Sequence, residues 1–524
     1  NKRVPVIELL LNSGVDINAI DLEDINGRSA LMTAIGTDEA TVDLLLNKGA
    51  RIDLEDNNGE TALFHALWSK DYPNVVAKLI KAGADVNHVN HNKETPLLRA
   101  IDRGNKEAVA LLLDAKTDIE YNQRPRATPL IVAAEGGFDD IVILLLDRGA
   151  GIDTKEQSGM TALMAASMRG QAKTVKLLLD RGADPAIALP NGEDAMKLAA
   201  SYGQGDVLKV FLDRKGRKEI DKDTLAQMTN AIAQGHKDVL EVFLSQGIDV
   251  NAADEYGDTL LMTACRSGRI DMVRLLLERG ANLNASNKKS EKAVDGALWK
   301  GDANILKLLI DHGAKRPEQG INGEAPFVQA IYSGTLDLVK LMLGLGYDIN
   351  QRDSYGLSPL HIAASVTNDQ GERVQLLLDN KADIESLEGG EVCNNPPAYA
   401  PPVAAPIPVG SPQAVKNIVD RMVAAPYVPQ CTTPLTNAAA SGHGKVVKIL
   451  LDHGAQVNAQ SPYSGTTPLI EAASLGDPEI VQILLDHGAD VHLKNKEGQD
   501  ALAVAKAKTN IKAAALLEKA GGGK

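Results

Sequence analysis

The chain has 524 residues and a formal net charge of −14, and 44% of its residues are hydrophobic but only 3% are aromatic. The negative balance disfavours nucleic acid as a partner, because phosphate binding needs a basic surface, whereas a basic protein partner is compatible with it. No apolar run approaches the roughly 18–20 residues of a membrane-spanning helix, so no membrane span is predicted. A core this poor in aromatic residues must be built from Ala, Leu, Ile and Val, which suits thin layers of closely packed helices.

Two short phrases recur along the chain and alternate with each other. A run of leucines followed two residues later by Gly-Ala occurs in residues 144–150 and 177–183, and its glycines keep a spacing of about 33 residues or a multiple of it. A second phrase falls midway, as in Thr95-Pro96-Leu97 and Thr467-Pro468-Leu469. A fixed internal period of this length indicates an array of small units, not a series of globular domains.

Each phrase has a local structural meaning. Thr followed by Pro is a helix start, since Thr caps well and Pro is tolerated at the first helical position. Paired alanines on the buried stripe let neighbouring helices approach closely, and the next Gly ends the helix. Residues 140–146 form a second, more apolar helix, and Asp-Glu-Tyr-Gly-Asp at 254–258 has the chemistry of a turn. One such unit cannot bury its own apolar faces, but a stack of units can.

This pattern resembles the ankyrin repeat, with Ser358-Pro359-Leu360-His361 close to its Thr-Pro-Leu-His and residues 83–87 matching its Gly-Ala-Asp-Val-Asn. The divergent units look like those of bacterial ankyrin proteins. The resemblance implies an α repeat solenoid of helix-turn-helix units with β-hairpin fingers. It covers residues 1–387, whose first unit is partial because residues 4–19 match only a second half, and residues 431–524, which end in a C-terminal cap.

A proline-rich insertion at 388–430 interrupts the array, and one helix is predicted within it over 411–423. The insertion is interpreted either as a functional loop or as a structural flap lying on the solenoid. Cys393 and Cys431 stand at its two ends. A disulfide between them would stabilise the chain by about 4 kcal/mol in the chain-entropy model and would imply an oxidising compartment, such as the bacterial periplasm or the outside of the cell. The alternative is two free thiols in a reducing cytoplasm.

The residues that could serve in catalysis or metal binding lie at ordinary positions of the repeat, and no active-site pattern is found. No P-loop, nucleophile elbow, dinucleotide-binding glycine motif or zinc-hydrolase motif is present. His361 occupies the histidine position of the resembled family, and His453 and His487 precede the terminal glycines of their units without acidic or cysteine partners to complete a site. We therefore predict no enzymatic activity, no catalytic residue, no cofactor and no metal.

In the resembled family, the residue just after the paired alanines faces the concave side, and turn tips lie beside it. Residue types that dominate binding hot spots, Trp, Tyr and Arg, recur at these places. Alternatively, the rings pack against the neighbouring finger. The predicted partner-binding residues are Trp68, Met168, Tyr256, Arg266, Trp299, Tyr332 and Tyr355.

The leading interpretation is a monomeric protein–protein interaction scaffold that holds one protein partner through finger tips and concave face. One alternative is an inhibitor or immunity-type protein that neutralises a toxin or enzyme. Another is an accessory region of a larger effector or enzyme, and sequence upstream of Asn1 would discriminate between these. The partner itself cannot be named, because a fold does not fix a function.

Overall fold

The computed structural model describes residues 3–20, 26–68, 73–122, 128–215, 222–318, 320, 324–333, 335–365, 371–389, 393 and 430–521. The chain divides into two compact units, which we call unit 1 (Asn1–Ala252) and unit 2 (Ala253–Lys524). None of the helices in these ranges is both long and apolar enough to cross a membrane.

Unit 1 is a stack of paired helices. Its helices are α1 Arg3–Asn12, α2 Ala30–Ile35, α3 Glu39–Asn47, α4 Ala62–Ala66, α5 Pro73–Lys81, α6 Pro96–Asp102, α7 Lys106–Asp114, α8 Pro129–Gly136, α9 Asp139–Asp147, α10 Ala162–Met168, α11 Ala172–Asp180, α12 Ala195–Ser201, α13 Gly205–Lys215, α14 Lys222–Gln234 and α15 Lys237–Ser245.

Unit 2 repeats the same pairing. Its helices are α16 Leu260–Ser267, α17 Ile270–Glu278, α18 Ala293–Lys300, α19 Ala303–Asp311, α20 Pro326–Ser333, α21 Leu336–Gly344, α22 Pro359–Ser365, α23 Glu372–Asp379, α24 Pro434–Ala440, α25 Gly444–Asp452, α26 Pro468–Leu475, α27 Pro478–Asp486, α28 Ala501–Ala507 and α29 Ile511–Gly521. Within each unit, the first helix of a pair packs against the first helices before and after it. The α repeat fold is thereby confirmed.

The pair α8–α9 shows why these residues form this structure. Thr128 caps α8, since its Oγ1 accepts a hydrogen bond from the backbone N–H of Ile131 at 3.4 Å, and proline follows at the first helical position. Ala133 and Ala134 are fully buried against the neighbouring helices. Gly137 then ends α8 with φ of 68°, in the left-handed region that favours glycine. The recurring sequence phrases therefore correspond to the cap that starts a helix, the alanines that pack it closely against its neighbours and the glycine that ends it.

The fingers are tighter than the predicted β-hairpins. In the finger at residues 254–258, the backbone N–H of Asp254 donates to the carbonyl of Asp258 at 3.1 Å. Successive tips are joined as well, since the N–H of Lys288 donates to the carbonyl of Tyr256 at 2.9 Å. The described residues contain isolated β-bridges, such as Ala253 with Thr259, but no longer ladder. A finger of five residues is too short to carry one.

The insertion enters at the tip of one finger. The N–H of Glu388 donates to the carbonyl of Thr432 at 2.9 Å, which is the bond that closes an uninterrupted finger. The structure joins Cys393 and Cys431 in a disulfide, with Cα atoms 5.6 Å apart across 38 positions of sequence. The predicted helix over 411–423 lies outside the described residues. The disulfide and the predicted boundaries at 387 and 431 stay predictions.

His361 holds the base of this interrupted finger. Its Nε2 lies 3.0 Å from the carbonyl oxygen of Thr432, and its Nδ1 lies 2.7 Å from Oγ of Ser358. Burial lowers the pKa of His361 to about 4, so the ring is neutral at pH 7. A neutral ring that donates from Nε2 and accepts at Nδ1 satisfies both contacts. His361 is therefore a structural histidine.

Candidate functional site

Five of the seven predicted binding residues belong to unit 2. Arg266, Trp299 and Tyr332 stand near the carboxyl ends of α16, α18 and α20, which pack in that order. Because the repeats are stacked, consecutive positions of this register form one row. Tyr256 and Tyr355 occupy the tips of fingers in the same unit. We call these five residues the Trp299 face.

The finger tyrosines are presented by the same turn. Asp254 accepts hydrogen bonds from the backbone N–H groups of Tyr256 and Asp258 at 2.8 and 2.9 Å. Asp353 holds the finger of Tyr355 in the same way, with the tyrosine N–H 2.9 Å from its Oδ1. Both finger tyrosines are exposed, Tyr256 by 65% and Tyr355 by 55%.

Trp299 lines a large cavity. The cavity has a volume of about 930 Å³. It is lined by Met262 of α16, by Val294 and Leu298 of α18, and by the finger residues Asn287 and Glu291. Trp299 is 54% exposed. An exposed tryptophan beside a cavity is the arrangement expected of a binding surface.

Arg266 forms one wall of this cavity and is paired inside the unit. Its guanidinium forms a close ion pair with Asp258, and its Nη1 lies 3.8 Å from Glu291. Asn287 bridges the same two carboxylates, donating from Nδ2 to Asp258 at 2.7 Å and to Glu291 at 2.8 Å. Arg266 is therefore oriented by its neighbours and keeps one side toward the cavity.

Tyr332 is tied partly to the next finger. Its hydroxyl donates to Oδ2 of Asp353 at 3.2 Å, and burial together with this carboxylate raises the pKa of Tyr332. The ring remains 47% exposed. The hydroxyl therefore packs against a neighbouring finger, whereas about half of the residue is exposed, and partner binding by Tyr332 stays a prediction.

Trp68, in unit 1, has the same register position as Trp299 but different surroundings. Arg99 lies over its ring at 4.9 Å and Arg103 at 4.4 Å. Its Nε1 donates to Oε2 of Glu60 at 3.3 Å. These contacts pack the ring inside unit 1, against side chains at α6 and at the end of its own finger. Met168, the other predicted residue of unit 1, is half-buried at the end of α10.

A buried ion network lies beneath Trp68. Nη2 of Arg99 donates to Glu60 at 2.6 Å and to Glu94 at 2.7 Å. Asn90 bridges the same carboxylates at 3.4 and 3.2 Å. Nη1 of Arg99 has no hydrogen-bond partner within the described ranges, but the guanidinium lies 5.6 Å from the ring centre of Phe64. We call Trp68 and this network the Trp68 cluster.

Asp56, Glu60 and His65 come close enough together to be considered as metal ligands. Oδ1 of Asp56 already accepts from the backbone N–H of Asn58 at 2.8 Å, and Oδ2 lies 3.1 Å from Nε2 of His65. Glu60 is bound to Arg99, whose positive charge opposes a cation. The oxygens have protein partners, so the group stabilises the finger and the adjoining helix.

Sequence reasoning missed three features of these surfaces. Tyr202 is 53% exposed at the end of α12, one position beyond the register that was searched. Asp295 and Gly296 shape the cavity beside Trp299. The signal for the last two was available, because other units place larger side chains at the position of Gly296, and most place apolar ones at that of Asp295.

Comparison with known proteins supports one family. The model of ankyrin repeats, which describes three copies at a time, matches residues 1–90, 69–156, 148–224, 196–287, 293–387 and 404–495. The first four stretches overlap, and together the six cover most of the chain. No curated protein matches the chain.

Proposed function

The chain belongs to the ankyrin-repeat family, and from that premise we propose that it binds a protein partner through the Trp299 face. Ankyrin repeats generally mediate protein–protein interaction, and the family is typically non-enzymatic. The observation that carries the proposal is Trp299, which is half exposed beside a cavity of 930 Å³. We propose a monomeric scaffold whose partner presents a basic surface, in keeping with the net charge of −14.

The composition of the Trp299 face supports this choice. Four of its five residues are aromatic, in a chain that has 3% aromatic residues. Exposed aromatic side chains bring large apolar area to an interface at a small cost in conformational entropy. Trp, Tyr and Arg also dominate measured binding hot spots. We propose that Trp68 and Met168 contribute less to the binding free energy, because Trp68 is already held by arginines of unit 1.

The two alternatives are an inhibitor or immunity-type protein that neutralises a toxin or enzyme, and an accessory region of a larger effector or enzyme. No observation on the described residues favours either one over a general scaffold.

The test begins with capture of a stoichiometric partner from the native source and its identification by mass spectrometry. The dissociation constant is then measured by calorimetry for the natural chain and for Trp299→Ala and Tyr332→Ala. Truncating a hot-spot residue costs at least about 2 kcal/mol, so we expect each variant to weaken binding about thirtyfold or more.

Tyr202→Ala serves as the matched control, because it removes an equally exposed aromatic ring from unit 1. Circular dichroism and thermal unfolding establish that each variant is folded. Unchanged affinity in both Trp299→Ala and Tyr332→Ala would remove the Trp299 face as the binding surface.

A further inference from the structure

The helix α1 has the sequence and the contacts of the second helix of a pair. Its leucine run is followed by Gly14 as that of α3 is followed by Gly49, and it packs against α3 as α5 packs against α7. Every other second helix described above also packs against the first helix of its own pair. Within the described residues α1 has no such neighbour, so one of its faces is left uncovered.

The uncovered face of α1 is apolar. Val6 is 56% exposed and Leu10 is 49% exposed, whereas Thr41 and Leu45, at the same positions of α3, are 3% and 2% exposed. Later second helices bury this pair of positions as well, for example Val75 and Leu79, Ala108 and Leu112, and Ile141 and Leu145. The side chains of α1 are of the same kind, so their exposure follows from the lack of a neighbouring helix and not from a polar surface.

This face borders a groove with a volume of about 480 Å³. The groove is lined by Leu10 of α1 and by Ala30 and Ala34 of α2, among others. Of its fifteen lining residues, only Asp16 and Arg28 are charged. A contiguous apolar patch of this kind marks an interaction surface. We call it the α1 groove.

The corresponding place in the next repeat is filled by α2. That helix packs against both α3 and α4, and it buries Leu31, Met32, Ala34 and Ile35. Ser29 caps it, since the serine side chain accepts from the backbone N–H of Met32 at 3.3 Å. The α1 groove therefore continues the row of first helices by one place. The occupant that fits it is a short, mostly aliphatic helix with a Ser or Thr cap.

The connection between the helices of a pair indicates where this occupant comes from. Three residues, 36–38, separate α2 from α3, and three residues, 103–105, separate α6 from α7. A first helix in the α1 groove would thus end close to Arg3, within reach of a direct chain connection. A helix joined in this way docks at the high effective concentration of a short linker, whereas a separate helix of the same length is barely stable in water.

We propose that the α1 groove binds a first helix of the same polypeptide, joined to α1 through the residues directly ahead of Arg3. The array then begins one helix earlier, and that helix covers Val6 and Leu10. The inference concerns the assembly of unit 1 and does not depend on the Trp299 face.

Hydrogen exchange on the natural polypeptide tests the proposal. The full-length polypeptide is purified from its native source and compared by mass spectrometry with the 524-residue chain. We expect the amides of residues 3–12 to exchange at least about tenfold more slowly in the full-length polypeptide, because a docked helix suppresses local opening. The amides of α27, in unit 2, serve as the control and should exchange alike in both.

A grafted helix tests whether the groove accepts this occupant. A copy of residues 26–37 is placed directly ahead of Arg3, instead of the first two residues, so that the copied helix precedes α1 as α2 precedes α3. The matched control carries Leu31→Lys and Ile35→Lys in the copy only, since these side chains are buried in α2. We expect residues 3–12 to exchange at least about tenfold more slowly with the graft than with its lysine control.

The proposal is overturned if residues 3–12 exchange alike in the full-length polypeptide and in the 524-residue chain. It is also overturned if the protection rises with protein concentration, which would identify a second copy as the occupant, or if it appears only when another protein is added. Equal exchange with the graft and with its lysine control would show that the groove does not take a first helix.

Discussion

Trp68 and Trp299 occupy the same position of their repeats, one in unit 1 and one in unit 2, and their exposed fractions are 51% and 54%. Two arginines lie over the ring of Trp68, and Glu60 accepts from its indole nitrogen. Trp299 instead borders a cavity of about 930 Å³. Exposure alone therefore does not identify a binding residue. The repeat decides where a side chain stands, and its neighbours decide whether it is available to a partner.

The largest expected effect separates a buried arginine network from a partly exposed arginine ion pair. Arg99→Met leaves Glu60 and Glu94 buried without their cation, and breaking such a buried network costs about 3–5 kcal/mol of unfolding free energy. Arg266→Met removes a more exposed ion pair and should cost about 1 kcal/mol or less. Denaturant unfolding of the two variants measures both values, and equal losses would contradict the distinction.

Filling the position of Gly296 gives the next largest expected effect. Gly296→Arg supplies the side chain that unit 1 has at Arg99, and it also removes a glycine from a helix. We expect the variant to fold and its affinity for the partner to fall at least about tenfold, because the cavity is occupied from within. Calorimetry with the identified partner gives the affinity. Full affinity in a folded variant would show that the cavity is not used.

Tyr332 tests whether an aromatic residue can serve both packing and binding. Tyr332→Phe removes the hydroxyl bond to Asp353 while keeping the ring, which should cost about 0.5–1.5 kcal/mol in stability. Tyr256→Phe, at an exposed finger tip, should stay within about 0.5 kcal/mol of the natural chain. Partner affinity should be little changed by either. A stability loss of equal size in both variants would argue against the Asp353 contact.

The smallest expected effect concerns the free energy of unfolding that is lost by burying the charge of Asp295. Burial raises its pKa, so the folded state favours the protonated form, and the stability linked to this group is lost as pH rises through its folded value. Asp295→Asn should therefore raise the unfolding free energy at neutral pH. The gain should vanish below the ordinary carboxyl pKa, near 3.9.

The charged groups that face Asp295 are Lys292, Glu291 and Glu318, with Asp258 and Arg266 across the cavity. Unfolding at a series of pH values, with Asp271→Asn on α17 as an exposed control, measures the difference. A variant less stable than the natural chain at neutral pH would mean that Asp295 serves the fold and not a ligand.

Much of this organisation follows from the sequence, because the repeat period ties each residue type to a place. Thr128, Pro129 and Gly137 predict the start and end of a helix without reference to any other repeat. The position of Trp299 at the end of a first helix follows in the same way. The position of a residue within its repeat does not predict the side-chain contacts between repeats, such as that of Arg99 with Trp68.

Those contacts depend on side chains that are about 30 or more positions apart in the sequence and meet only when the repeats stack. The finger that carries the insertion illustrates the same limit. Glu388 and Thr432 close it across 44 positions, because the insertion stands where three tip residues stand in other fingers. Counting finger positions on both sides of the insertion would have found this pairing. The predicted disulfide spans the same interruption.

The most direct test of the central claim is photocrosslinking with p-benzoylphenylalanine incorporated in place of Trp299 and, separately, in place of Trp68. Both positions are about equally exposed, so they differ in their surroundings and not in access to solvent. We predict a covalent adduct with the native partner from position 299 and little or none from position 68. An adduct from position 68 alone would contradict the assignment of binding to the Trp299 face.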